Sequence, residues 1–255
     1  MRMKVTLWEM RNVQKVLVFG GSGGIGSAVA REILTAGGQV HLAGRNGDSL
    51  TAVAAELGVG CSTVDVTDAV AVDACADAAA EALGGLTGIT NCVGSILLKP
   101  AHLTQPEDWQ ATIAANLTTA FSTVRAAGRL LRTSGGSVVL LSSAAARIGL
   151  ANHEAVAAAK AGVIGLTLSA AATYARAKIR FNAVAPGLVR TPLAAGLLAN
   201  ELAEKASVAM HPLGRLGESE DVARAICWLL DPQNSWVTGQ VLGVDGGLAD
   251  VKARA

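Results

Sequence analysis

The 255-residue sequence predicts a single α/β domain built on a doubly wound parallel sheet. Three observations carry that prediction. Short β-branched, apolar runs alternate with helical patterns along the chain, from Val16 to Val244. The runs are almost wholly apolar, as in Ser137-Val-Val-Leu-Leu141, which suits strands buried on both faces. Glycine and polar residues follow the runs, at the carboxyl ends where such sheets bind ligands.

Residues 16–19 form the first strand, and Gly20-Gly-Ser-Gly-Gly-Ile-Gly26 follows. Ile25, Val29 and Ile33 recur every four residues, so a helix with one apolar stripe begins there. A strand, a tight turn and a helix N-terminus present free backbone N–H groups and a positive dipole end to an anion. Gly20 permits the turn, Gly24 admits a phosphate, and Gly26 lets the helix pack close to the strand. In that context the glycines point to a dinucleotide. Gly37-Gly38 ends the helix, and residues 39–43 are a second strand closing on Gly44-Arg45-Asn46. No acid stands at that strand end to bind a ribose 2′-hydroxyl. Arg45 either meets a 2′-phosphate, which favours NADP over NAD, or is a solvated turn arginine.

Residues 48–57 read as a helix, 61–64 as a third strand ending in Asp65-Val66-Thr67-Asp68, and 69–83 as an alanine-rich helix. A fourth strand runs through Gly88-Ile-Thr-Asn-Cys-Val-Gly94, with Asn and Gly where backbone approaches a ligand. Residues 109–131 read as one long helix carrying Asn116 on its core side. The fifth strand, 137–141, ends in Ser142-Ser143. Asn152 is expected to cap the next helix, with Glu154 in its first turn. A sixth strand, 179–184, leads to Pro186-Gly187, and residues 193–210 form a helical, apolar lid over a substrate. Ser219 is expected to cap a helix with Val222, Ile226 and Leu230 on one face. Residues 240–244 are the last strand, before Asp245-Gly-Gly247.

Composition narrows the function. Net charge is +1 with no basic run, which argues against nucleic acid as a partner. The four cysteines are scattered without histidine clusters, which suits buried thiols in a reducing cytoplasm and no metal site. The stretch 82–98 is charge-free but broken by four glycines and an asparagine, and 161–175 is too short to span a bilayer, so no membrane segment is expected. The first residues show no apolar core of signal-peptide length.

These motifs together resemble the short-chain dehydrogenase/reductase family, in the branch that includes β-ketoacyl-carrier-protein reductase. The resemblance runs from about Lys15 to Leu248. The turn from Gly20 to Gly26 is similar to the family's glycine motif, with Phe19 where a threonine is usual. Asp65-Val66 resembles the pair that contacts adenine, and Asn91-Cys-Val-Gly94 resembles an Asn-Asn-Ala-Gly strand end. Asn182-Ala-Val-Ala-Pro-Gly-Leu-Val-Arg-Thr191 resembles the segment that closes over nicotinamide and pyrophosphate, and Val237-Thr-Gly-Gln-Val-Leu-Gly-Val-Asp-Gly-Gly247 resembles the usual last strand. The resemblance implies one Rossmann-type domain over residues 15–255 after an N-terminal extension, 1–14. It implies a cofactor, NADP(H), held by Gly20, Ser22, Gly23, Gly24, Ile25, Gly26, Arg45, Asn46, Asp65, Val66, Asn91, Val93, Gly94, Lys160, Pro186, Gly187, Val189 and Thr191. It implies a homotetramer or homodimer in which the helix around 155–174 packs against its twin, and a small-molecule substrate.

The family's active site uses Asn, Ser, Tyr and Lys, with Tyr-x-x-x-Lys on one helix and the serine thirteen residues before the tyrosine. By that spacing Lys160 is the lysine, Ser143 the serine and Asn116 the asparagine. The tyrosine position is Val156, and the chain's single tyrosine, Tyr174, lies fourteen residues past Lys160. Valine does no acid–base work. The resemblance implies that Lys160 holds the nicotinamide ribose, Ser143 bonds the substrate oxygen and Asn116 steadies a water relay. His153 lies seven residues before Lys160, within about 20° of the same helical face. The superfamily's enoyl reductases place their tyrosine at that spacing. An imidazole titrates near neutrality, so His153 either supplies the missing proton or is an inert residue beside the helix cap. Three functions are open: an NADP(H)-dependent carbonyl or alcohol oxidoreductase, a non-catalytic NADP(H)-binding protein or subunit, and an enoyl or dienoyl thioester reductase using His153.

Overall fold

The computed structural model describes residues 13–252. Residues 1–12 of the expected N-terminal extension lie outside the described residues. The strands are β1 (Lys15–Phe19), β2 (Gln39–Gly44), β3 (Gly60–Thr63), β4 (Gly88–Asn91), β5 (Gly136–Leu141), β6 (Ile179–Pro186) and β7 (Val241–Val244). They pair in the order β3-β2-β1-β4-β5-β6-β7, each neighbour parallel to the next. The order reverses between β1 and β4, so a crevice opens past their carboxyl ends.

Both faces of the sheet are covered, and the alternation of β1 shows how. Leu17 and Phe19 point into a core shared with α3 (Ala69–Leu83), α5 (Thr119–Leu130) and α6 (Glu154–Tyr174). Val16 and Val18 point the other way, against α1 (Gly24–Thr35), α2 (Gly47–Leu57) and α9 (Ser219–Leu230). Each such fully buried side chain contributes about 1.5–3 kcal/mol relative to exposure. This two-sided burial is why the strands read as continuous apolar runs.

The helices begin and end for local reasons. The Asn46 side chain accepts from Ser49 N at 3.1 Å and starts α2, and Asp68 accepts from Val70 N and Ala71 N to start α3. The long helix expected from residue 109 starts earlier: α4 (Pro106–Ile113) carries Pro at its first turn, where the missing N–H costs nothing. It passes through a π-helical turn, Ala114–Thr118, before continuing as α5. Two expected caps are corrected. Asn152 sits at φ 65 and does not cap α6; His153 holds the cap position, without a capping side-chain bond. Ser219 is the first residue of α9 rather than its cap. Glu218 caps, its N–H donating to Asp221 Oδ2 at 2.9 Å. The lid is also not one helix. A short α7 (Ala195–Leu198) and α8 (Glu201–Met210) are separated at Asn200, whose side chain accepts from Leu202 N and Ala203 N.

One helical stretch, Glu154–Ala177, is long and apolar enough to cross a membrane by length and composition. Here it packs along β6 and β5, with Val163, Thr167, Ala170 and Ala171 buried.

Candidate active site

The glycine turn after β1 is tightly built. The N–H groups of Gly20 and Gly21 both donate to Ala43 O, and Gly23 N donates to Gly20 O. Gly20 takes φ 76, and a Cβ there would lie 2.9 Å from the Cys92 carbonyl carbon, so the ends of β1 and β4 close on each other. Helix α1 starts at Gly24 with no side-chain cap, which leaves its first N–H groups directed at the groove with the positive end of the helix dipole. Thr191 Cγ2 and Ser219 Oγ stand 3.0 and 2.8 Å from where a Gly24 Cβ would be, from the far side of the crevice.

This turn opens on a groove of about 320 Å³. Its walls include Gly20, Ser22, Gly23, Gly24, Ile25, Arg45, Asn46, Asp65, Val66, Val93, Gly94 and Thr191, twelve of the residues expected to hold a cofactor. Gly44, Thr67, Cys92, Ala115, Thr119 and Leu193 complete it. Of these, Ala115 and Thr119 carry no motif that marks them in the sequence. Gly26, Asn91 and Val189 stand behind the groove instead. Gly26 packs on Gly20 O, Asn91 Oδ1 accepts from Val93 N at 2.9 Å, and Val189 is buried and bridges to Gly217. Asp65 Oδ1 is engaged by the Thr67 N–H and hydroxyl, which hold its carboxyl below the usual range. Burial pushes the Cys92 thiol up to about 12, so it is no nucleophile at neutral pH. An elongated groove that ends on an uncapped helix N-terminus, with a cation in Arg45 at the β2 end, fits a dinucleotide.

Asn116 lies in the π-helical turn and is buried. Its Nδ2 donates to Thr112 O and Ser95 Oγ, both at 2.9 Å, and its Oδ1 accepts from Ser95 N at 3.2 Å. The π turn thereby straps the loop after β4. Lys160 is buried on α6 and donates to Leu141 O at 2.8 Å. Desolvation lowers its pKa to about 8. A Cβ on Gly94 would lie 3.0 Å from Asn116 Oδ1 and 3.4 Å from Lys160 Nζ, so both side chains frame the same backbone at the groove's inner end.

A second cavity, of about 240 Å³, adjoins the first. Ser143, Val156 and His153 line it, together with Pro186 at the end of β6, Gly187 from the loop that follows, and Leu197, Ala203, Ser207 and Met210 from the lid. The same loop reaches the dinucleotide groove at Thr191. Ser143 Oγ accepts from Ala145 N at 3.1 Å. His153 Nδ1 is 2.7 Å from Ala151 O, which makes Nδ1 the protonated nitrogen and leaves Nε2 unengaged. Val156 occupies the wall where a phenol was expected. Tyr174 is remote from both cavities, its ring stacked 5.5 Å from Phe181 and pressed against Gly128. Sequence reasoning missed His211, buried between the lid and the sheet; Leu188 N donates to its Nε2 and its Nδ1 meets Ser207 O.

Comparison with known proteins agrees with this fold. A family model described as enoyl-(acyl carrier protein) reductase matches residues 20–249. The chain belongs to the short-chain dehydrogenase/reductase family. An inactive 2-(S)-hydroxypropyl-CoM dehydrogenase of Xanthobacter autotrophicus is 36% identical, over 88% of this chain and 100% of that protein. The cis-4-hydroxycyclohexanecarboxylate dehydrogenase of Sinomonas cyclohexanicum is 39% identical, over 92% and 96%. The structure of a short-chain dehydrogenase/reductase from Mycobacterium ulcerans superposes with a TM-score of 0.89 at 33% identity, covering 93% of this chain and 91% of that one. Membership makes this an oxidoreductase fold that takes a nicotinamide cofactor, and the groove past β1 and β4 is where the described residues fit one.

Proposed function

We infer that the protein is an NADP(H)-dependent oxidoreductase acting on a carbonyl or alcohol, with an active site that works without the usual tyrosine. The observation that carries this is one cavity that joins Ser143, His153 and Val156 and shares a loop with the dinucleotide groove. A bound nicotinamide would supply or accept the hydride. The chain's own groups do the rest. The Ser143 hydroxyl donates to the substrate oxygen. His153 Nε2, the nitrogen not tied to Ala151, gives or takes the proton at that oxygen. Lys160 holds a positive charge beside Gly94 at the inner end of the groove, where it would hold the nicotinamide ribose. Asn116 holds the Ser95 loop against the site. Arg45, exposed at the β2 end, meets the 2′-phosphate that favours NADP.

Val156 supports a second reading, a non-catalytic NADP(H)-binding protein or subunit, and the Xanthobacter relative named inactive fits it. The family model's description keeps an enoyl thioester reductase in view. One experiment separates the three. NADPH consumption is followed with ketones, β-ketoacyl thioesters and enoyl thioesters, with NADPH binding measured in parallel. Turnover of ketones supports the first reading, and turnover of enoyl thioesters alone supports the third. Binding without turnover of any substrate overturns both and leaves the second. Exposed Leu168 on α6 and Phe121 on α5 support assembly as a homotetramer or homodimer, which sedimentation would test. Four free cysteines suit a cytoplasmic location.

A further inference from the structure

The substrate cavity has a chemical character sharper than its outline. Most of its wall is hydrocarbon: Ile96 and Leu98 from the loop after β4, Leu150 and Val156, and Leu197 and Met210 from the lid. No Lys, Arg, Asp or Glu lines it among the described residues. Its polar side chains divide into two sets. Those on the lid side have their donors engaged. Ser207 Oγ donates to Ala203 O at 2.8 Å, and both nitrogens of His211 are engaged, by Ser207 O at 2.7 Å and Leu188 N at 3.2 Å. Those on the sheet side differ. The Ser143 hydroxyl hydrogen and His153 Nε2 have no protein partner among the described residues. The cavity's spare hydroxyl donor and its unengaged ring nitrogen therefore both belong to the sheet side, and the lid side keeps only the acceptor lone pairs of Ser207, which an anion cannot use.

A ligand complementary to such a wall carries one polar function and a hydrocarbon remainder. A second polar group on the ligand would lie against Leu and Met and lose its water without replacement. An ionised group would lose more. A cavity of about 240 Å³ at protein packing density takes a molecule on the order of ten carbons.

We propose that the substrate is a neutral compound with a single oxygen function: an aliphatic or alicyclic ketone, or the matching secondary alcohol, of up to about ten carbons. This rests on the oxidoreductase reading above, and it separates this chain from a relative whose named substrate is a carboxylate.

The test compares matched pairs in which a methyl group is replaced by a carboxylate: 4-methylcyclohexanone against 4-oxocyclohexanecarboxylate, and 2-octanone against 7-oxooctanoate. Two readouts are used on the full chain with NADP⁺ or NADPH present: ligand binding by saturation-transfer NMR, and NADPH consumption. The expected result is a preference of about 100-fold or more for the neutral member in both readouts. Equal or better binding of the carboxylates overturns the substrate class, whether or not they turn over. Failure of both neutral ketones to bind overturns it too. Neutral ketones that bind but are not reduced support the class and overturn the oxidoreductase reading. A gain variant completes the test. Met210→Lys sets a cation at the half-exposed cavity rim, and it should shift the carboxylate-to-neutral binding ratio at least about 10-fold toward the carboxylate. An unchanged ratio would mean that the anion does not enter past the lid, against the assignment of this cavity.

Discussion

Lys160 donates its buried ammonium to the carbonyl oxygen of Leu141 at 2.8 Å, so the partner of this charge is a neutral dipole and not a carboxylate. Burial lowers its pKa to about 8, against about 10.4 in an unfolded chain. Between those values the unfolded chain binds the extra proton, so stability rises with pH across that window and the full penalty remains below pH 8. Lys160→Met should raise stability at pH 7 by about 2 kcal/mol, the relief of desolvation less one hydrogen bond, while abolishing turnover. Chemical denaturation at pH 7 and pH 10 checks this. The variant's advantage must shrink at pH 10; a constant advantage would refute the account. Stability is being given up for a charge at the groove.

Val156 lines the substrate cavity beside Ser143, where a phenol has room to enter. With His153 already supplying the proton, Val156→Tyr alone should change carbonyl reduction little, but in a His153→Phe background it should restore about 100-fold, the contribution of a positioned acid. Val156→Phe supplies the bulk without the hydroxyl and should not. If both variants are equally slow, the site lacks something other than an acid. An enoyl reductase would also fail to gain from the tyrosine.

His153 carries the opposite expectation. With Nδ1 held by Ala151 O, only Nε2 faces chemistry. His153→Phe should lower kcat by about 100-fold or more with NADPH affinity unchanged. Parallel loss of affinity and rate would mark the residue as a support of the loop.

The strands and the glycine turn were legible because their causes are local. β-branched runs buried on both faces, and a glycine turn between β1 and α1, leave marks that survive in one dimension. Ser143, Lys160 and Asn116 were placed by spacing along the chain. The misses have a common physical origin. Asn152 and Ser219 were good capping residue types at positions where the backbone chose a neighbour, because the turn geometry and the Asp221 carboxylate decide the cap. The break at Asn200 lies inside an apolar stretch whose pattern is continuous. His211 escaped notice since its partners, Leu188 N and Ser207 O, lie 23 and 4 residues away and are backbone atoms without a sequence signature. The Asn116 side chain in the π turn likewise bonds to Ser95, 21 residues earlier, a contact with no local signature.

Arg45 is exposed on the wall of the groove, within electrostatic reach of the Asp65 carboxylate. Arg45→Ala should weaken NADPH binding by about 10–100-fold and leave NADH binding little changed, since the guanidinium's loss removes a charge-assisted contact to the 2′-phosphate. Titration of both cofactors decides it without any substrate. An equal loss for both would make Arg45 a general anchor and remove the argument for NADP.

Gly20 and Gly37 allow the close approach at the site to be separated from backbone strain. Both take nearly the same left-handed conformation, φ 76 and φ 80. An alanine at Gly37 meets open space, so Gly37→Ala should cost only the conformational penalty, about 1–2 kcal/mol. At Gly20 the same methyl would stand 2.9 Å from the Cys92 carbonyl carbon and 3.0 Å from Val93 N, both backbone atoms that cannot rotate aside. Gly20→Ala must therefore push the end of β4 away from β1, and with it Gly94, which Asn116 and Lys160 frame. The expected result is a stability loss larger than that of Gly37→Ala by about 1–3 kcal/mol, together with loss of NADPH binding that Gly37→Ala does not show. Equal losses from the two substitutions would mean that the turn tolerates a side chain and that its glycine serves conformation alone. The cofactor groove would then owe its shape to the helix N-terminus and not to the contact between β1 and β4.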